Sequence, residues 1–326
     1  DLMLPVLPAS PESAMAYPAG ASAETAPARL KYADSLSIPA IESPFLESLL
    51  ATSGYAPEIK LGLRSLARDG FVVFDIGLPD FPALAERISA DLKRHWGQDR
   101  RVSEAWYWNQ DVRAVANAPR ILEYCRLIYR REPIPFQTLN FEIGSEQPAH
   151  SDTIHFHSLP RHYMCGVWVA MEDIHPDSGP LVVYPGSHKL PDYDMQDLGV
   201  EPHPGNYYVY EEFVRDALAS LGMLPMPVLL KQGQCVLWLA NLYHGGTAIR
   251  DPQRTRHSQA THYYFEDCQY YFPMQSDLPA GRITRREVID LRTGRFVPHV
   301  HQGRKVDLGD LRDVCTYPRP LPEWVG

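Results

Sequence analysis

From about residue 135 onward the chain is a succession of short apolar segments, and this succession restricts the fold more than any other feature. The segments are rich in β-branched and aromatic residues and are separated by Gly, Pro and Asp, a pattern that predicts β-strands joined by turns. They read FQTLNFEIG, HSDTIHF, YMCGVWVAMED, LVVYPGS, QCVLWLA and HSQATHYYF. Many short strands at this spacing are typical of a jelly-roll barrel. We therefore predict a mainly β fold for this part of the chain.

Helical patterns precede these strands. The segment that begins at Pro57 has helical spacing and a glycine stop, and a short apolar strand follows it. Leu84, Ile88 and Leu92 then recur every four residues with charged residues between them, which predicts an amphipathic helix. A further helix is predicted over residues 118–130. We expect these helices to flank one sheet of the barrel.

The other segments divide the chain into an arm, a main domain and an extension. Residues 1–56 are rich in Pro, Ala and Ser and lack a periodic apolar stripe, so we interpret them as an N-terminal arm. Residues 57–275 form the predicted jelly-roll domain, with a lid-like insertion at 189–230 whose centre has a helical pattern. Residues 276–326 are predicted to pack on the same domain, with their arginines on a solvated face.

Charge and cysteine content argue against several classes of protein. A formal charge of −9 and a pI near 5.8 disfavour nucleic-acid binding, which needs an accessible basic surface. The sequence contains neither a run of about 18 apolar residues nor a basic region followed by an apolar core, so no membrane span and no signal peptide are predicted. The five cysteines include no CxxC and suggest no disulfide framework, which favours a reducing cytoplasm.

A candidate metal site begins at His150-Ser151-Asp152. Residues two apart in an extended strand project from the same face, so this imidazole and this carboxylate would point together into a cavity. The best candidate for a third ligand is His244, in the downstream segment WLANLYHGG. Two histidines and one carboxylate on one face of a metal leave open positions opposite, which suits non-haem Fe(II) oxygenases. The pattern therefore predicts oxidative chemistry.

An arginine downstream of His244 supports this hypothesis. Such enzymes commonly use 2-oxoglutarate, whose distal carboxylate needs a fixed planar cation, and Arg supplies a bidentate fork that Lys does not. Arg256 is preferred because the strand HSQATHYYF begins just after it. Arg250 and Arg254 lie in a turn and are interpreted as solvated loop residues.

Three other histidines receive structural interpretations. His155 has the wrong parity to join His150 and Asp152 on one strand face, so packing or a contact at the rim of the site is expected. His157 is interpreted in the same way. His262, on the final strand, is interpreted as a satisfied core residue.

Four blocks of sequence together resemble the phytanoyl-CoA dioxygenase family of Fe(II)/2-oxoglutarate oxygenases. They occur in the family's order and span roughly residues 57–272. The resemblance implies a double-stranded β-helix (jelly-roll, cupin-like) core with iron held by His150, Asp152 and His244. The blocks are HSDTIHF, MCGVWVAMEDIHPDSGPLVVYPGSHK, LYHGG and RHSQATHYYFEDCQYY.

The resemblance also implies how the co-substrate is held. Arg256 would grip the distal carboxylate of 2-oxoglutarate, and Trp168 would line that pocket. Thr138 and Asn140, on the strand before the metal motif, would hydrogen-bond the co-substrate. The implied cofactors are Fe(II), 2-oxoglutarate and O2.

The expected reaction is hydroxylation of an unactivated C–H bond of a small molecule, with release of succinate and CO2. Halogenating relatives have a small residue at the carboxylate position, whereas this chain has Asp152. Two alternatives stay open, namely a non-catalytic jelly-roll binding protein and a cupin-like metal-dependent isomerase or hydrolase that does not use 2-oxoglutarate. The insertion, the aromatic residues 106–108 and the C-terminal arginines hint at a polar or anionic substrate. No nucleic acid and no membrane is expected as a partner, and the sequence does not indicate an oligomeric state.

Overall fold

A computed structural model describes residues 36–98 and 100–307. Helices lie mainly ahead of the strands in the chain, as predicted. In the described residues none of them combines the length and apolar character needed to cross a bilayer. The helices are α1 (Leu46–Thr52), α2 (Pro57–Asp69), α3 (Phe81–Leu92), α4 (Gln110–Ala116), α5 (Pro119–Tyr129) and α6 (Tyr207–Ser220).

The strands are short, and most lie after α5. The longest are β3, with nine residues, and β10, with eight. The strands are β1 (Phe71–Asp75), β2 (Arg101–Ser103), β3 (Pro133–Phe141), β4 (His157–Leu159), β5 (Met164–Ala170), β6 (Leu181–Val183), β7 (Met226–Pro227), β8 (Gln234–Leu239), β9 (His244–Gly246), β10 (Ser258–Phe265), β11 (Gln269–Tyr271), β12 (Ile289–Asp290), β13 (Arg295–Phe296), β14 (Val300–His301) and β15 (Arg304–Lys305).

Two antiparallel sheets face each other across the core. The larger has the strand order β1-β8-β5-β10-β3-β2, and the smaller has the order β7-β6-β9. Trp168 and Val236 of the larger sheet share one apolar cluster with Leu181 and Val183 of the smaller. A backbone bridge between His150 and His244 extends the smaller sheet. The mainly β architecture with flanking helices is the one predicted.

Alternation along the central strands gives the larger sheet two buried faces. Val167 of β5 and Leu237 of β8 pack against the helices, whereas their neighbours Trp168 and Trp238 point between the two sheets. Successive side chains of a strand point to opposite faces, so one strand contributes to both layers. These strands therefore appear in the sequence as continuous apolar runs.

The helices cover the outer face of the larger sheet because each carries an apolar stripe. Leu63 of α2, Ile88 of α3 and Ile121 of α5 are buried in the cluster that contains Val167. Helix α2 begins with proline at its first position and ends at Gly70, whose φ of 87° is a left-handed conformation that glycine adopts without strain. The helices therefore flank one sheet, as predicted.

The segment before α2 differs from the expected arm. Residues 1–35 lie outside the described part, but Ile41 is buried and Leu50 of α1 is 2% exposed, both within the main apolar cluster. Only a few apolar residues carry these contacts, too few to produce a periodic pattern in a segment rich in Pro and Ser. At least residues 40–52 therefore fold as part of the domain.

The C-terminal extension also differs in part from its expectation. Arg282 is exposed and paired with Asp277, as a solvated face requires. Arg286, however, is 7% exposed, with its guanidinium against the rings of Phe136 and Phe156. Burial of Arg286 follows from the return of the chain across β11, where its backbone N–H donates to a buried strand carbonyl. Residues 308–326 lie outside the described part.

A histidine clamp joins three distant segments. His162 Nδ1 is 2.8 Å from Glu42 Oε1, and its Nε2 is 2.6 Å from Asp192 Oδ2. His157 Nε2 lies 3.4 Å from the same Asp192 oxygen. Burial opposes the charge on His162, but the bonds to Asp192 and Glu42 outweigh it and raise the pKa from 6.5 to about 9. The imidazolium therefore ties the N-terminal segment to the start of the insertion.

We predict that His162→Gln destabilises the protein in a pH-dependent manner. A raised folded-state pKa gives stability that is complete below pH 6.5 and is lost as the pH passes 9. The difference in free energy of unfolding between wild type and variant should therefore be largest at pH 6. It should shrink by up to about 3 kcal/mol by pH 10. Urea unfolding at both pH values measures it, with exposed His301→Gln as the control; a pH-independent difference would contradict the clamp.

Candidate metal centre

Three side chains from separate parts of the chain converge as predicted. The ligating atoms of His150, Asp152 and His244 all lie within 4.8 Å of one another. All three residues are buried, with exposures of 5%, 2% and 5%. Two imidazoles and one carboxylate at this separation form a donor set that suits a non-haem ferrous ion. The structure thus brings together the predicted ligands.

Backbone pairing places the two histidines. His150 N–H donates to His244 O at 2.9 Å, and His244 N–H donates to His150 O at the same distance. Asp152 is placed differently from the expectation, because it begins a short 3-10 helix (Asp152–Ile154) instead of continuing a strand. The carboxylate therefore enters the site from a turn. The prediction that both residues share a strand face was wrong, although its consequence, convergence of the side chains, holds.

The hydrogen bonds of the two imidazoles fix which nitrogen faces the centre. His150 Nδ1 lies 2.9 Å from Pro148 O, and His244 Nδ1 lies 3.0 Å from Leu242 O. A carbonyl only accepts, so each Nδ1 must carry the proton, which leaves the Nε2 lone pair for a metal. Burial, reinforced by His244, lowers the pKa of His150 to about 3. This ring is therefore neutral and ready to ligate at physiological pH.

Helix α6 of the insertion packs on the segment that carries the ligands. Tyr210, Val214 and Leu218 of this helix share an apolar cluster with Ile154 and Tyr243, which are close in sequence to Asp152 and His244. Two polar contacts join the same parts of the chain. Tyr210 Oη lies 3.0 Å from Ser151 Oγ, and Tyr207 Oη lies 3.2 Å from His155 Nε2. The insertion thus supports the metal ligands from outside the sheets.

Arg256 supplies a buried positive charge in the same cavity. It is 2% exposed, and its terminal nitrogens donate to Gly179 O at 3.2 Å and to Ile143 O at 3.4 Å. Its Nε has no partner, and across residues 36–98 and 100–307 no carboxylate lies within ion-pairing distance. Burial lowers its pKa to about 10, so it stays charged at neutral pH. A buried cation without a counter-ion is costly, and a bound carboxylate would remove that cost.

One cavity of about 310 Å³ connects the metal ligands with this guanidinium. Trp168 lines it as predicted, with its ring centroid 5.3 Å from Arg256 Cζ. Phe141 lies on the same guanidinium, at 5.5 Å. The aromatic rings hold the charged plane in place and exclude water from it. The cavity therefore offers a metal position and an anion position side by side.

The predicted contacts of Thr138 and Asn140 with a co-substrate are contradicted. Gln137, Leu139 and Phe141 of the same strand line the cavity, so residues of the other parity point away from it. Asn140 Nδ2 instead donates to Gln259 Oε1 at 3.2 Å, on the helix side of the sheet. The strand was identified correctly, but the wrong face was chosen.

Sequence reasoning missed two residues at Asp152. Trp238 Nε1 donates to Asp152 Oδ2 at 2.8 Å, and His262 Nε2 lies 3.8 Å from the same oxygen. His262 was interpreted as a satisfied core residue, yet it lines the cavity and its Nδ1 has no partner. The sequence offered one indication of this role. His262 is an even number of positions from Arg256, so in an extended strand both side chains would point to the same face. Nothing in the sequence distinguishes Trp238 from an ordinary core tryptophan.

Comparison with known proteins identifies the family. The family model described as phytanoyl-CoA dioxygenase (PhyH) matches residues 82–258, more than half of the chain. The matched interval contains all three candidate ligands and Arg256. The chain belongs to the phytanoyl-CoA dioxygenase family. This membership confirms the predicted family.

Among curated relatives, the chain is similar to the peroxisomal phytanoyl-CoA dioxygenase of Rattus norvegicus. The two are 30% identical over 156 residues, which cover 47% of this chain and 42% of the rat protein. The match thus spans less than half the length of that relative.

Two solved structures of members of nogalamycin biosynthesis are similar in fold. One is the non-heme alpha-ketoglutarate-dependent carbocyclase SnoK, 15% identical with a TM-score of 0.54, covering 67% of this chain and 87% of SnoK. The other is the epimerase SnoN in complex with Fe3+, alpha-ketoglutarate and nogalamycin RO, 22% identical with a TM-score of 0.50, covering 69% and 91%. These similarities confirm the predicted fold class.

We predict that Arg256→Gln weakens binding of 2-oxoglutarate roughly 100-fold, since two charge-assisted hydrogen bonds are lost. Calorimetric titration of 2-oxoglutarate into protein loaded with Mn(II) measures the dissociation constant. The control is Arg254→Gln, which removes an exposed arginine paired with Asp251 and should leave the affinity unchanged. Equal affinities of wild type and Arg256→Gln would refute the assigned carboxylate site.

Proposed function

We propose that this protein is an Fe(II)- and 2-oxoglutarate-dependent dioxygenase that hydroxylates an unactivated C–H bond of a small molecule, releasing succinate and CO2. One observation carries the proposal. A single cavity contains both a buried His2Asp cluster and a buried guanidinium with no carboxylate partner among the described residues. A metal-dependent isomerase or hydrolase needs the first feature but not the second, and a non-catalytic binding protein needs neither.

The residues present fit the iron and the keto acid. When bound, the metal supplies activation of O2 coupled to oxidative decarboxylation of the keto acid. His150, Asp152 and His244 would hold it from one side and leave the cavity side open for other ligands. Arg256 would bind the distal carboxylate of 2-oxoglutarate and so orient its keto-acid end toward the metal. Trp168 would shield that ion pair from water.

Hydroxylation is favoured over halogenation by the ligand set. The carboxylate of Asp152 would occupy the third protein position at the metal, which a halide would otherwise need. Other residues that line the cavity would position the substrate C–H bond. These residues include His262, whose Nε2 lies 3.8 Å from Asp152 Oδ2, and Phe156, whose ring centroid is 5.2 Å from that of His262.

A polar or anionic substrate is supported by the charged and polar groups beyond the metal. Arg101, Ser103 and Gln137 line the cavity, and the Gln137 Oε1 atom is buried without a partner. Arg286 lies behind Phe156, with no carboxylate within ion-pairing distance in the described part of the chain. A second buried guanidinium beside the cavity raises its positive potential and favours anions.

We predict that the purified protein with Fe(II) and O2 forms succinate from 2-oxoglutarate, and that Asp152→Ala abolishes this. A panel of carboxylated and phosphorylated small molecules should contain compounds that stimulate succinate formation, and mass spectrometry should show one added oxygen in the product. Asp251→Ala, an exposed substitution, is the control. Retained turnover in Asp152→Ala would exclude the assigned ligand, and a product without added oxygen would exclude hydroxylation.

We predict that Arg286→Gln raises the KM for a stimulating anionic substrate about 10-fold and leaves the affinity for 2-oxoglutarate unchanged. The reason is the loss of one nearby buried charge, which contributes on the order of 1–2 kcal/mol to anion binding. Steady-state kinetics and calorimetry provide the two readouts. Arg282→Gln, an exposed arginine four residues away, is the matched control. An unchanged KM would remove Arg286 from substrate recognition.

A further inference from the structure

We propose that Trp238 is a positioning residue for the metal centre, and that Gly166 is a glycine because the Trp238 indole occupies the space of a side chain. Trp238 would hold Asp152 Oδ2, the outer oxygen, so that Oδ1, the inner oxygen, faces the metal. The inference rests on the proposed function, because it assigns a role relative to the iron. It concerns residues of the larger sheet, whereas the ligands lie on the smaller sheet and the turn beside it.

The two oxygens of Asp152 have different surroundings. Oδ1 faces the ligand cluster, at 3.8 Å from His244 Nε2. Oδ2 accepts the hydrogen bond of Trp238 Nε1 at 2.8 Å, within a residue that is only 2% exposed. The carboxylate is therefore already divided into an oxygen that is free for a metal and an oxygen that is engaged by the protein.

Trp238 is the one side-chain donor to this carboxylate in the described part of the chain. His262 Nε2 is 3.8 Å from Oδ2, beyond hydrogen-bonding distance. The orientation of the Asp152 carboxyl group about its terminal torsion therefore depends on a single hydrogen bond, since that torsion has broad and weak preferences of its own. The indole N–H only donates and the ionised carboxylate only accepts, so this bond holds Oδ2 in place as an acceptor.

Gly166 makes this hydrogen bond sterically possible. It lies on β5 directly between Trp238 of β8 and His262 of β10 in the strand register. A Cβ atom at this position would overlap Cζ2 and Cε2 of the Trp238 ring and would lie 2.8 Å from its Nε1. The indole therefore lies across the backbone of β5. Close approach of a side chain to a strand backbone is one of the few reasons for glycine in a strand interior.

When a metal is bound, the orientation of Asp152 would decide how many positions stay open for other ligands. A carboxylate free to rotate can bind through both oxygens and take a position that 2-oxoglutarate or O2 requires. With Oδ2 held by Trp238, Asp152 would bind through Oδ1 alone. Hydrogen-bonding partners of metal ligands typically change metal affinity or activity by roughly 10- to 100-fold.

The first test replaces Trp238 by Phe and measures metal binding directly. We expect Trp238→Phe to bind Co(II) roughly 10- to 100-fold more weakly than wild type in calorimetry. The visible absorption spectrum of bound Co(II), which reports coordination number and geometry, should also change. Trp96→Phe is the matched control, because the Nε1 atom of Trp96 has no partner. The control should change neither readout.

The second test uses Gly166→Ala, which retains Trp238 but adds the methyl group that the indole excludes. It should reproduce the weaker Co(II) binding and the altered spectrum. Phe lacks Nε1 and the six-membered ring that carries Cζ2, which are the parts of Trp238 that an added methyl group would meet. When Trp238→Phe is already present, Gly166→Ala should therefore cause little further loss of Co(II) affinity. This non-additive result in the double variant would be absent if the two residues acted independently.

The outcomes separate this inference from the proposed function. If wild type binds Co(II) and 2-oxoglutarate but Trp238→Phe has the same affinity and the same Co(II) spectrum, the positioning role is wrong and the proposed function stands. If wild type itself binds neither Co(II) nor 2-oxoglutarate, the proposed function fails. Should Gly166→Ala alone fail to fold, the Trp238→Phe measurement still decides the question.

Discussion

The backbones of His150 and His244 exchange two hydrogen bonds, and the metal centre depends on this pairing. It brings together two histidines that are nearly a hundred positions apart and sets their rings 4.5 Å apart between centroids. Each ring is then fixed by a hydrogen bond to a carbonyl two residues before it. The main-chain pairing determines where the two histidines lie, and the nearby carbonyls determine which ring nitrogen of each carries the proton. Both side chains are therefore already ordered, and little conformational freedom would be lost when a metal binds.

The second constraint on the site is the buried positive charge of Arg256, which has no counter-ion among the described residues. Arg256 is buried among aromatic rings with only backbone carbonyls as partners, and its pKa is lowered by burial. A buried charge without a counter-ion destabilises a folded protein, and a bound ligand of opposite charge would remove that cost. The same reasoning applies to Asp152, whose outer oxygen is engaged by Trp238 while its inner oxygen faces the histidines. The site is organised for an anion and a cation that bind next to each other.

Distant segments keep this arrangement rigid. Helix α6 of the insertion contacts the turn that carries Asp152 through Tyr210, and the clamp centred on His162 ties the start of the insertion to the N-terminal segment.

Folding of residues 40–52 onto the main core was not expected from their composition. A few buried residues such as Leu50 outweigh an unfavourable local pattern, because burial depends on what the rest of the chain presents and not on local periodicity.

The sequence by itself determined most of the longer strands and the candidate metal ligands, together with Arg256, because apolar runs and ligand chemistry are properties of residue type and order. It did not determine the conformation at Asp152, which begins a 3-10 helix where a strand was predicted. Tertiary structure alone decided which face of each strand meets the cavity. Thr138 and Asn140 were therefore assigned to the wrong face, and His262 was not assigned to the site. Tertiary structure also decided that Trp238 reaches Asp152 across Gly166. A hydrogen bond between residues so far apart in the chain depends on strand register and on the space beside Gly166, and neither can be read from a local sequence pattern.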